Sequence, residues 1–200
     1  MRRFCKYLSI FLTLALVQLF VAPRSAPAAA DAFIDNLVIN NADDSMLLYF
    51  NVANAFRPDM EEAVQNGIPA TFTFYVSLSR VKKGWPDTEE FYMSFDHTLG
   101  FDNLKEEYVI RYSEPGKSTD NVKSVADAKK LMSEVNGLRV LDESSLVSGG
   151  HYTLKVKARL ERKTLPLNFH YIIPFWELGD FETDWRVLDF TYRQKAVDTK

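Results

Sequence analysis

Three histidines, one cysteine and several clustered carboxylates are the residues of this chain able to carry chemistry. His97 follows Asp96, His151 follows Gly149-Gly150, and His170 lies in an aromatic stretch. No two of them stand at the i, i+4 spacing that puts a pair of imidazoles on one helix face, and none belongs to an H-E-x-x-H pattern. They read as surface or strand-end histidines. Ser148-Gly149-Gly150-His151 lacks the G-x-S-x-G order of a nucleophile elbow and reads as a hairpin turn, its glycines supplying positive φ. Asn40, Asn41, Asp43 and Asp44 bring oxygens together without the alternating rhythm or distal Glu of a calcium loop. Asp87, Glu89 and Glu90 follow Gly84-Trp85-Pro86 and read as a solvated loop, not as a carboxylate pair across a cleft. The residues therefore name no catalytic group, metal or cofactor.

Aromatic side chains are the compositional oddity, at 14% of the chain. Phe169, Tyr171, Phe175 and Trp176 fall in one apolar run, and Pro174 within it argues against a central strand. That run is either core or edge packing, or an exposed patch for a ligand or membrane partner. Trp85, between Gly84 and Pro86, is the second candidate, because an exposed tryptophan on a loop is a common interface anchor.

The first thirty residues set the compartment. Arg2, Arg3 and Lys6 precede an apolar run from Tyr7 to Ala22, and Ala28-Ala29-Ala30 stands before Asp31. That pattern predicts a secretory signal cleaved after Ala30, and export to the periplasm. The run is shorter than the roughly 20 residues a bilayer span needs, but an uncleaved inner-membrane anchor is the alternative. Cys5 leaves with the signal, so neither disulfide nor thiol chemistry is expected of the mature chain. Four of the 24 basic residues and none of the 27 acidic ones lie before Asp31, so processing leaves an acidic domain. Its charges are interspersed, which disfavours nucleic acid and anionic lipid as partners.

The elements that position these residues are mostly strands. From Thr71 to Ser79, Phe72, Phe74, Val76 and Leu78 alternate with polar residues; from Tyr152 to Glu161, Leu154, Val156, Ala158 and Leu160 alternate with charged ones. Phe33–Asn40 and Met46–Asn54 flank a turn-rich stretch and predict a hairpin. Further strands are expected over Glu90–Asp96 (Phe91, Met93, Phe95), Glu107–Tyr112 and Asp184–Arg193, the last burying Trp185, Leu188, Phe190 and Tyr192. A helix is expected from Pro58 to Gly67. A second runs from Ser124 to Asn136, with Val125, Ala128, Leu131, Met132 and Val135 as its stripe. The fold expected is mainly β: a two-layer antiparallel β-sandwich of seven to nine strands with two short helices, an α+β arrangement being the alternative. It forms one domain over residues 31–193, with a polar tail at 194–200.

Three stretches together resemble a known family. Glu62-Ala63-Val64-Gln65-Asn66-Gly67-Ile68-Pro69 leads into the strand ending Ser79-Arg80. Gly149-Gly150-His151-Tyr152 opens the strand that runs into Lys163-Thr164-Leu165-Pro166-Leu167, and Phe181-Glu182-Thr183-Asp184-Trp185 follows. In this order they resemble the bacterial exported proteins grouped as DUF4390, over roughly Ile34 to Tyr192. The resemblance implies an envelope protein without established activity or catalytic residues, encoded near a membrane sensor histidine kinase. Three functions follow in order of preference. The first is a non-enzymatic periplasmic adaptor contacting a membrane protein such as that kinase. The second is a carrier or sensor of a small apolar ligand between the sheets, and the third a hydrolase with an unrecognised site.

Overall fold

The structure is a computed structural model that describes residues 31–42, 44–161 and 181–194. Nine strands are described: β1 (Phe33–Ala42), β2 (Ser45–Ala53), β3 (Ala70–Arg80), β4 (Thr88–Asp102), β5 (Glu107–Tyr112), β6 (Asp120–Val122), β7 (Glu134–Asp142), β8 (His151–Glu161) and β9 (Arg186–Thr191). Two helices interrupt them, α1 (Pro58–Gln65) after β2 and α2 (Val125–Ser133) after β6. Strands β1-β2-β7 form one sheet and β6-β5-β4-β3-β8-β9 the other, with every pairing antiparallel. The sheets pack face to face as a β-sandwich, as the alternating pattern predicts.

The two sheets differ in width, and this sets the place of the helices. The large sheet offers six inner strands against three, so part of its apolar face lies beyond the smaller sheet. Strand β1 faces β8 and β9, whereas α1 packs on β4 and α2 on β4 and β5. The helices therefore finish the second layer over the β4–β5 half. Met60, Ala63 and Val64 of α1 and Ala128 and Met132 of α2 are buried there. Gln65 of α1 donates to the Tyr108 hydroxyl of β5 at 2.9 Å, and Lys129 of α2 ion-pairs with Glu61 of α1.

The phase of the alternation decides which side chains enter the core. Phe72, Phe74, Val76 and Leu78 of β3, and Leu154, Val156 and Ala158 of β8, are wholly buried. Phe74 is the hub, with ring centroids of Phe50 at 5.7 Å, Phe72 at 6.5 Å and Phe95 at 5.2 Å. One apolar cluster runs from Ile34 to Tyr192. Pro58 opens α1, and Gly67 beyond its end takes a φ of +86° that a side chain would strain.

Several expectations change in detail. Strand β4 runs on through Asp102, so His97 is not at a strand end, and Glu89 and Glu90 lie on the strand instead of in a loop. Helix α2 stops at Ser133, and Glu134, already extended, opens β7 without a linker. Val135 is buried as a strand residue. Its spacing from Met132 satisfies the helical stripe, but Leu138 and Val140 continue it as a strand once Gly137 is skipped. Gly137 has a φ of +74° and sits where the β2–β7 register shifts, the geometry of a bulge. Trp185 precedes β9 and is half exposed rather than joining Leu188 and Phe190, because an odd position cannot share their face. Gly149 supplies positive φ as expected, but its turn leads from one sheet to the other and closes no hairpin.

Candidate functional site

Extending the β4 alternation from Phe95 brings His97 inward, between the sheet and α2. It is wholly buried, which corrects the expectation of a surface or strand-end histidine. Its Nδ1 stands 3.1 Å from the Met132 carbonyl oxygen, and its Nε2 3.4 Å from Glu114 Oε2. Both ring nitrogens face acceptors, and only the doubly protonated ring can donate to both. The Tyr112 ring packs edge-on against the imidazole at 4.6 Å, and Phe74 does so at 4.7 Å.

Glu114 is itself buried, and Lys117 Nζ reaches its second oxygen at 2.9 Å. Burial alone would raise the pKa of this carboxyl. Hydrogen bonds from His97 and Lys117 outweigh that and hold it below the usual carboxylate range. Lys117 also lies 4.0 Å over the Tyr112 ring. The Tyr112 hydroxyl donates to Asp120 at 2.9 Å; burial, then that carboxylate, pushes its pKa up. The result is a chain of satisfied polar groups, His97–Glu114–Lys117–Tyr112–Asp120, that ties β4, β5, β6 and α2 together. It brings a histidine and a carboxylate together as a hydrolase would need, but inside the core instead of at a cleft.

The other candidates separate. His151 is exposed on β8 and its Nδ1 meets the Thr191 hydroxyl of β9 at 2.9 Å. Glu90 pairs with Arg80 at 3.0 Å, and Asp87 accepts the Lys82 amide at 3.3 Å, which closes the β3–β4 loop. Asp44 occupies the β1–β2 turn with a φ of +56°. Among the described residues no group of three or more His, Cys, Asp and Glu side chains is arranged to hold a metal. Phe169, Tyr171, Phe175 and Trp176, together with His170, lie outside the described residues, as does Asp43.

Trp85 stands at the tip of the β3–β4 hairpin with 78% of its surface exposed, beside exposed Lys82 and Lys83. Below it, the outer face of the large sheet carries three features the sequence reading missed. Tyr92 of β4, Trp185 just before β9 and Val187 of β9 are 54%, 42% and 46% exposed. The sequence signal for Tyr92 was present, since it is an aromatic on the polar phase of an alternating strand. The register sets Tyr92, Ser77, Lys155 and Val187 side by side across β4, β3, β8 and β9. They line a surface cleft of about 330 Å³, with Glu89 and Trp185 at its borders. A second cleft, of about 450 Å³, opens where the edges of the two sheets meet and is lined by Ile39, Met46, Leu188, Phe190 and Tyr192, among others.

Set beside known proteins, residues 29–189 match the family model described as a domain of unknown function, DUF4390, and the chain belongs to that family. No curated protein and no solved structure matches it.

Proposed function

We propose that this DUF4390 protein is exported to the periplasm and works there as a non-enzymatic binding module, contacting a membrane protein such as a sensor histidine kinase. The observation that carries the reading is Trp85. An indole 78% exposed at the tip of a hairpin, flanked by lysines, adds nothing to the core. It is the type of side chain that anchors protein interfaces when it is desolvated. The hairpin beneath it is rigid, because β3 pairs along its whole length with both β4 and β8. The basic, apolar and small-residue sequence of the first thirty residues supports export. Among the described residues no helix is long and apolar enough to cross a membrane.

The test is cross-linking in intact cells of a C-terminally tagged full-length copy, followed by purification and mass spectrometry against an unrelated exported control. Enrichment of one inner-membrane protein, with a mature N-terminus at Asp31, supports the reading. No enrichment over the control contradicts it.

A second reading, a carrier of a small apolar ligand, is favoured by the 450 Å³ cleft at the sheet edges, a volume within the range of small-molecule sites. The ligand would lie at the margin of the sandwich, because the rings deeper between the sheets pack on one another around Phe74. Native mass spectrometry of the purified protein reads a co-purifying mass directly.

A further inference from the structure

The outer face of the large sheet is built differently from an ordinary solvated face. At its centre, strands β3 and β8 are paired on both sides, so their backbone donors and acceptors are spent on the ladder. An extended peptide cannot add a strand there. What the face offers is side chains: the Tyr92 and Trp185 rings, the Val187 methyls, the Ser77 hydroxyl, the Lys155 ammonium and the Glu89 carboxylate around one cleft. Tyr92 and Val187 stand three strands apart, about 14 Å at the usual strand spacing.

Trp185 is held in place. Thr183, two residues before it, is buried and clasps β8: its amide donates to the Ala158 carbonyl at 2.9 Å and its hydroxyl accepts from the Ala158 amide at 3.0 Å. Lys157 lies 4.8 Å from the Trp185 ring and 5.2 Å from the Tyr75 ring, and its charge is answered by Glu182. Lys155, one row away, is exposed and has no ion-pair partner among the described residues.

We propose that this face binds a neutral polysaccharide strand. A pyranose ring presents C–H faces that stack on aromatic rings, and equatorial hydroxyls that both donate and accept. The cleft matches both properties, its lining holding two aromatic rings together with a carboxylate, an ammonium and a hydroxyl. Glu89 and Lys155 carry opposite charges, so the floor favours an uncharged polyol over a polyanion. The polar floor and spent backbone likewise disfavour a protein segment. This site lies away from Trp85 and does not depend on the adaptor reading.

Affinity electrophoresis of the purified full chain in gels containing hydroxyethyl cellulose, glycol chitin or amylopectin tests it. Retardation is expected in at least one gel, with Tyr92→Ala and Trp185→Ala each weakening it about tenfold. Lys155→Ala, which removes no side-chain hydrogen bond or ion pair among the described residues, should weaken it several-fold, and serves if Trp185→Ala fails to fold. Trp85→Ala should migrate as the parent does. No retardation in any of the three gels, or equal retardation of the groove variants, overturns the proposal. So does loss of a membrane-protein cross-link from the groove variants in the absence of any glycan binding.

Discussion

The two faces of the six-stranded sheet use the same residue types for opposite ends. On the inner face Phe72, Phe74 and Tyr152 are buried, and even a histidine there is partnered, by the Met132 carbonyl and by Glu114 from the turn after β5. On the outer face Tyr92, Trp185 and Val187 stay open to solvent beside Lys155, which has no ion-pair partner among the described residues. Chemistry-bearing residues on the inner face are thus spent on holding the fold, and the outer face and the hairpin tip carry the exposed side chains on which the two binding proposals rest. Substitutions that separate stability from binding can break this contrast.

The largest effect is expected at the hub of the inner face. Phe74→Ala should cost about 3–5 kcal/mol in urea denaturation, through lost burial and the cavity left behind. A smaller but pH-dependent loss is expected at Glu114. Replacing it with Gln leaves Nε2 of His97 facing an uncharged amide and should cost about 1–3 kcal/mol near neutral pH. The sign follows from its lowered pKa. The stabilisation is fully present above the ordinary value of 4.5 and is lost as pH falls through the lower folded value. The stability gap between the parent and Glu114→Gln should therefore close on acidification. A gap that is constant down to acid pH would mean that Glu114 is not ionised in the fold.

Ser124→Ala probes the same cluster from further away. The Ser124 hydroxyl caps α2 by accepting the Ala126 amide at 3.2 Å, and α2 carries the Met132 carbonyl that faces His97. About 1 kcal/mol is expected, read as a lowered melting temperature. At the other extreme, Tyr92→Ala and Trp85→Ala should change stability by less than about 0.5 kcal/mol. A larger loss at Tyr92 would place it in the packing and remove the contrast between the faces.

The architecture was legible because period-two alternation survives in β3 and β8, whose inner faces are entirely apolar while their outer faces are polar or charged. It failed where two periods agree over a few residues. Met132 and Val135 fit a helix, and only the bulge at Gly137 makes Val135, Leu138 and Val140 a strand. The place of His97 was one step beyond the alternation read through Phe95, and its partner Glu114 lies 17 residues on, in a turn whose position depends on the β4–β5 pairing. The outer cleft was the least legible part. Tyr92, Ser77, Lys155 and Val187 come from four strands, and only the register of three pairings makes them neighbours. Trp85, in contrast, was readable from its own loop, since Gly84 and Pro86 leave it no strand to pack in.

A binding module of the proposed kind must touch its partner through the exposed tip of the β3–β4 hairpin. A photo-reactive residue placed at Trp85 in intact cells, compared with the same probe at Leu104, tests this directly. Leu104 is 97% exposed at the tip of the neighbouring β4–β5 hairpin, so it controls for exposure alone. The prediction is a discrete adduct with one inner-membrane protein from position 85 and none from position 104. No adduct from position 85, or the same adducts from both, would contradict the account.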